Sequence, residues 1–296
     1  VGFTDDGIPL MNEKLVYEAM KKAKELNVPL SFHEEDPAFI SENGINAGAV
    51  AKELGITGSP ALAEDSLVAR DCMIALHTGA SVNIQHISSA TSVKAVKLAK
   101  ELGANVTAEV TPHHFTLDET AVLEHGAMAK MNPPLRTAKD REEIIEGIKD
   151  GSIDMIATDH APHLHAEKIG NCLRAASGGP LVQHSLQVML ELHRRGEFPL
   201  ETVVQKMAHA PADLYRIDRR GYLRPGYFAD IVLVNPNRRY TVSPANILSK
   251  CGWSPFEGHT FPCSIERTWV NGVTAFADGA VSDTCRGKRL LFHPDR

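Results

Sequence analysis

The stretch Asp154-Met-Ile-Ala-Thr-Asp159-His160-Ala-Pro-His163 decides the fold. A short apolar run stops at a carboxylate, and imidazoles follow directly after it and again just beyond. In a barrel of alternating strands and helices, the reacting groups sit where strands end and βα loops begin. A carboxylate at such an end, with imidazoles beyond it, suits metal-assisted hydrolysis. The Asp can bind a cation and move protons, and a following His can hold substrate. The competing reading is a turn Asp with incidental histidines, so the weight falls on whether other strands end the same way.

They do. Val28-Pro-Leu-Ser-Phe32 reads as a buried strand ending at His33, and Ser81-Val-Asn-Ile-Gln85 as one ending at His86. Asn105–Val110 ends at Thr111-Pro-His-His114. Between them, Asn12–Leu26 (Asn12 as N-cap), Ala61–Gly79, Ser92–Leu102 and Asp140–Lys149 carry helical spacing. This βαβα rhythm predicts parallel strands wrapped by helices. An open doubly wound sheet would carry a glycine-rich phosphate loop after its first strand, and there is none, so a barrel is the better reading. After Ala210 the pattern changes. Gly221–Asp230, Ile231-Val-Leu-Val234 and Ser264–Val270 read as short β-strands, and Asn271-Gly272 is a strong hairpin signal. The expected organisation is a barrel portion over residues 1–215 and a small β module over 216–296.

The 296 residues suffice for one large α/β domain or two smaller ones. A hydrophobic fraction of 43% with 23% charged residues is ordinary for a soluble enzyme. A net charge of -6 argues against nucleic acid or an anionic membrane as main partner. No apolar run approaches the roughly 20 residues of a membrane span. Five scattered cysteines without a CxxC read as free thiols of a reducing cytoplasm.

The strand-end set is Asp6, His33, His86, His113/His114 and Asp159. A pair of divalent cations needs imidazoles and carboxylates converging from different strands, with one carboxylate bridging. Zinc suits such nitrogen and oxygen donors. Alone, Asp5-Asp6-Gly7 reads as a turn and each His as a hydrogen-bonded core residue. Their shared topological position makes the case.

Several motifs are similar to those of one family. They are Phe3-Thr-Asp-Asp-Gly7, His33-Glu-Glu-Asp36, Glu42-Asn-Gly-Ile-Asn46, Gln85-His-Ile-Ser-Ser89, Glu109-Val-Thr-Pro-His-His114, Lys130-Met-Asn-Pro-Pro-Leu-Arg136 and Ala157-Thr-Asp-His-Ala-Pro-His163. With Arg224-Pro-Gly-Tyr-Phe-Ala-Asp230 and Ser254-Pro-Phe-Glu-Gly258, they resemble the bacterial dihydroorotases of the amidohydrolase superfamily along essentially the whole chain.

The resemblance implies a distorted (β/α)8 TIM-like amidohydrolase barrel, of which strands four to eight are present, with a small appended β-sandwich. It implies two zinc ions per active site in the complete enzyme and the interconversion of L-dihydroorotate and N-carbamoyl-L-aspartate in pyrimidine biosynthesis. Asp6 matches the carboxylate that bridges the metals, and His33 and His86 match ligands of the more exposed one. Asp159 matches a ligand of the other metal that serves as general base and then general acid. Asn132 and His163 match contacts to the substrate ring and its carboxylate, and Gly178 and Gly179 lie in the segment whose backbone holds the pyrimidine. The family is cytoplasmic; a homodimer and an association with aspartate transcarbamoylase are the implied partnerships.

Two features depart from the family pattern. The His-x-His-x-Arg motif of the first family strand is absent from its place, and the one His-x-His, His163-Leu-His165, follows Asp159. The chain therefore reads as an N-terminally truncated dihydroorotase, with unpaired strand edges as an aggregation liability. Pro180-Leu-Val-Gln183-His184 replaces the common Gly-Leu-Glu-Thr, and His184 there reads as a packing or surface residue. The alternatives are another cyclic amidohydrolase of hydantoinase or allantoinase type, and a non-catalytic scaffold partner of aspartate transcarbamoylase.

Overall fold

The structure, a computed structural model, describes residues 1–293. The chain divides into two compact units, Val1–Val182 with Ser249–Pro255, and Gln183–Leu248 with the chain from Phe256 onward.

The first unit is built on a five-stranded sheet of β1 (Phe3–Thr4), β2 (Leu30–Phe32), β3 (Val82–Ile84), β4 (Val106–Val110) and β5 (Met155–Ile156). Spatial order equals chain order, and every pairing is parallel. Leu30 faces Val82 in register and Val82 faces Val106, so apolar side chains stack from strand to strand. Parallel strands covered on both faces read as apolar runs, and Val82, Ile84, Ala108 and Val110 are fully buried.

Helices α1 (Glu13–Leu26), α3 (Leu62–Thr78), α4 (Ala90–Glu101) and α7 (Ala138–Asp150) follow successive strands, with the shorter α2 (Ala49–Leu54) between β2 and α3. Asn12 caps α1 by accepting from Leu15 N at 2.9 Å, and Val16, Met20 and Ala23 form its buried stripe. Thr137 and Asp140 close a capping box on α7, and Asp140 Oδ1 also accepts from Ala90 N, 2.9 Å away at the start of α4. The two helices meet closely at Gly147, where a Cβ would stand 2.8 Å from Val93 Cγ1. The C-terminal strand ends carry α5 (Pro112–Thr116), α6 (Ala121–His125) and α8 (His165–Lys168). No helix among the described residues is long and apolar enough to cross a membrane.

The second unit begins with α9 (Ser185–Arg194), α10 (Leu200–Val204) and α11 (Ala210–Leu214), the last two joined by a π turn. It continues through β6 (Ile231–Asn235), β7 (Tyr240–Thr241), β8 (Thr260–Phe261), β9 (Ser264–Val270), β10 (Val273–Ala277) and β11 (Ala280–Val281). Four of these form an antiparallel sheet in the order β11-β10-β9-β6, and β7 pairs with β8 separately. Asn271 and Gly272 make the expected hairpin, both at positive φ (54° and 78°). Gly221–Asp230 forms turns and not the expected strand. Its aromatic rings face cations instead: the Arg220 and Arg224 guanidinium carbons lie 4.2 Å from the Phe228 and Tyr222 centroids. The apolar run Asp154–Thr158 yields a shorter strand, Met155–Ile156, because the backbone turns into the loop before Asp159.

Two buried imidazoles make stability acid-sensitive. His114 in the first unit, and His184 among the rings of Tyr240, Phe256 and Phe261 in the second, are pushed down by burial to about 4. The unfolded chain takes up protons below the ordinary 6.5, which the folded chain refuses until about 4. Stability is therefore full above the ordinary histidine value and falls as pH drops toward 4, by on the order of 3 kcal/mol per histidine. Urea midpoints across this range should fall accordingly, and His184→Phe should remove one share of the drop. A pH-independent midpoint would contradict this.

Candidate metal centre

The loop after β1 divides its two aspartates between structure and chemistry. Asp5 Oδ1 accepts from His33 N and Oδ2 from Leu10 N, both at 2.9 Å, so this carboxylate ties the loop to the end of β2. Asp6, whose N–H donates to Thr4 Oγ1 at 3.1 Å, stays exposed. His33 follows β2 directly. His86, just beyond β3, takes φ +32°, an uncommon backbone conformation of the kind that concentrates at functional sites.

His33 Nδ1 and His86 Nε2 stand 3.0 Å apart, rings edge to face. Asp6 Oδ1 lies 3.9 Å from the first nitrogen and 4.0 Å from the second. Among the described residues, Asp6, His33 and His86 are the group close enough to share a cation. Zinc with such donors at ~2.0–2.2 Å holds its ligand atoms roughly 3.3 Å apart in a tetrahedron, so this triangle fits with little movement.

Electrostatics point the same way. Burial and then the Asp6 charge push Asp159 up to about 6, and burial pushes Glu109 up to about 7, with Asp159 and Asp6 adding to it. Carboxylates that raise one another's pKa are relieved by a cation. Burial holds His86 well below its ordinary value, so it presents a neutral imidazole, the form that binds metal. His33 is also penalised by burial, yet Glu35 and then Asp6 and Asp5 hold its pKa above the ordinary value.

Glu35, not singled out by sequence reasoning, orients His33. Its Oε2 lies 3.2 Å from His33 Nε2, it is buried, and its other oxygen has no partner. A proton held on Nε2 by this carboxylate leaves the Nδ1 lone pair for a cation. Glu35→Gln should therefore weaken zinc binding by roughly 10–100-fold without unfolding the chain. Unchanged affinity in a chelator competition would remove Glu35 from this role. The His33-x-Glu35 spacing is the one sequence signal for it. Glu109, reached by Asn83 Nδ2 at 3.1 Å, was signalled only as a lone charge within an otherwise uncharged strand.

Asp159 stands outside the three-residue group, at φ +42° just past β5, near enough to feel Asp6 and His33. His113 and His114 do not join it, against their expected place in the strand-end set. Pro112 starts α5, which turns both rings onto Thr111 Oγ1 (3.1 and 2.8 Å), and His114 Nε2 donates to Pro133 O at 3.0 Å. His184 lies in the second unit among aromatic rings, as a packing residue would.

The remaining expected residues share one hydrogen-bonded arrangement beyond Asp159. Ala161 N donates to Gly179 O at 3.1 Å, and Gly178 N to Lys130 O at 3.0 Å, two residues before Asn132. Gly178 has φ +115°, and a Cβ there would stand 2.6 Å from Ala161 Cβ, so only glycine fits. His163 Nε2 lies 2.8 Å from Ser177 O, and Asn132 Oδ1 is a buried acceptor without a partner. An unpaired buried carbonyl is a ready contact for a polar ligand.

A family model described as the amidohydrolase family matches residues 1–275. The chain is 51% identical over 276 residues to a dihydroorotase of Clostridioides difficile, covering 93% of this chain and 65% of that one. It is 45% identical over 279 residues to the dihydroorotase of Clostridium acetobutylicum, covering 94% and 66%. The chain thus spans slightly under two thirds of these relatives' length. Among solved structures, an L-hydantoinase from Arthrobacter aurescens superposes with a TM-score of 0.84 at 20% identity, covering 95% of this chain and 65% of that one. A D-hydantoinase from Thermus sp. gives 0.81 at 23%, covering 95% and 64%. At such identities the likeness is one of fold.

Proposed function

The chain belongs to the amidohydrolase family, and on that premise we propose that it carries the catalytic strand ends of a zinc-dependent dihydroorotase. The proposed reaction is the reversible interconversion of L-dihydroorotate and N-carbamoyl-L-aspartate. The observation that carries this reading is the convergence of Asp6, His33 and His86 from three successive strand ends. The dihydroorotase-named relatives, with identities of 41% to 51%, supply the substrate class.

In this reading Asp6, His33, His86 and Asp159 would supply ligands to the two-zinc site of the complete enzyme. Bound zinc supplies Lewis acidity at the ring amide carbonyl and a water nucleophile near neutral pH. Asp159 accepts the proton of the attacking water and delivers it to the departing ring nitrogen. Burial and then the Asp6 charge raise this carboxyl in the metal-free chain, which strengthens it as a base. Asn132 offers its unpartnered carbonyl to a ring N–H. His163 and the backbone at Gly178 and Gly179 take the substrate carboxylate and carbonyls. The same reading assigns residues 1–215 to the barrel and 216–296 to a β-sandwich module. It also carries a cytoplasmic location, a homodimer and aspartate transcarbamoylase as a candidate partner.

The complete, zinc-loaded enzyme that carries these residues should consume L-dihydroorotate and leave hydantoin and allantoin untouched. Turnover of hydantoin in preference would move the substrate assignment to the hydantoinases. Failure to turn over any of the three, together with co-purification of a transcarbamoylase, would favour a scaffold.

A further inference from the structure

Lys168, at the end of α8, is fully buried, and no carboxylate among the described residues pairs with it. Its Nζ donates to Lys130 O at 2.8 Å and to Ala176 O at 2.9 Å, and lies 5.7 Å from the Trp253 ring centroid. The indole is fixed in turn, its Nε1 donating to His163 O at 2.9 Å. Lys130 O also accepts from Gly178 N at 3.0 Å, so one carbonyl receives both Lys168 and the glycine loop. The neighbouring Lys130 Nζ is spent on Ala175 O at 2.9 Å and Leu173 O at 3.4 Å.

A buried ammonium without a counter-charge is costly, and an apolar side chain of similar length would pack here at lower cost. What an apolar chain could not do is draw two carbonyls from separate segments onto one point. We propose that Lys168 is a positioning residue that fastens the 176–179 segment to Lys130–Asn132 and so preforms the ligand cradle. Its importance for dihydroorotate rests on the proposed function, but the fastening itself does not.

The charged and titratable groups around it are Lys130 and Cys172, with Glu167 and His163 on the flanking turns; Glu167 Oε2 is turned to Leu164 N at 2.7 Å. Burial, then Lys130, push Lys168 down to about 8 from the ordinary 10.5, with Cys172 opposing.

The test is amide hydrogen exchange at Gly178 in the wild type, Lys168→Met and Lys168→Arg, with zinc content and dihydroorotate kinetics alongside. In Lys168→Met, protection of the Gly178 amide should fall by about tenfold or more, as expected for losing charge-assisted hydrogen bonds, with zinc content unchanged. KM for dihydroorotate should rise by a similar factor, more than kcat falls. Lys168→Arg should recover part of both. Unchanged Gly178 protection in folded Lys168→Met overturns the proposal. If Lys168→Met does not fold, Lys168→Gln, whose amide is too short to reach both carbonyls, decides: protection of the Gly178 amide must fall, and unchanged protection overturns the proposal. Lost protection in a protein that never binds dihydroorotate leaves the fastening standing and rejects the substrate assignment.

Discussion

Asp159→Asn is expected to lower dihydroorotate turnover by about 10²–10⁴-fold while most of the bound zinc stays. The amide keeps the shape of the side chain and an oxygen donor, but it cannot accept a proton. The loss should therefore fall on kcat. In the wild type the acid limb of kcat/KM should follow this carboxyl at a value below the about 6 that burial and then Asp6 give it without metal, because a bound cation favours the charged form. Activity is lost as pH falls through that value, because the protonated carboxyl is no longer a base. Retained turnover in Asp159→Asn, measured at matched zinc content, would place the general base elsewhere.

Arg136→Met is expected to destabilise the first unit by about 3–5 kcal/mol, the cost of leaving a buried charge without its partner. Arg136 donates to Ser59 O at 2.6 Å, and to Asn46 Oδ1 and Ser88 Oγ at 3.1 Å. Its charge also faces buried Glu64, which accepts from the backbone N–H groups of Ser88 and Ser89 at 3.1 Å. Without the guanidinium, Glu64 must protonate or stay charged in the core, and three acceptors lose a donor. The urea midpoint should fall with little change in slope. A loss below about 1 kcal/mol would show that the network tolerates an apolar replacement.

The strands were readable because buried parallel strands are apolar runs, and Phe32, Ile84 and Ile156 sit where such runs approach His33, His86 and Asp159. The Asn12 cap and the Asn271-Gly272 turn were readable because each rests on chemistry local to a few residues. Tyr222, Tyr227 and Phe228 gave Gly221–Asp230 a strand-like composition, but these rings lie over Arg224, Arg219 and Arg220. His113 and His114 looked like ligands because a strand ends before them. Their hydrogen bonds to Thr111, and the bond from His114 to Pro133, depend on a helical turn that spacing does not encode. Glu109 and Lys168 are out of reach for the same reason, since their partners lie on other segments, whereas Glu35 leaves the His33-x-Glu35 spacing as its one trace.

The measurement that bears most directly on this account is zinc bound per chain against a competing chelator, in the wild type, His86→Ala and His113→Gln. The strand-end centre predicts tight zinc in the wild type, its loss in His86→Ala, and its retention in His113→Gln. Equal zinc in all three, or none in a folded wild type, would contradict a metal centre built from Asp6, His33 and His86.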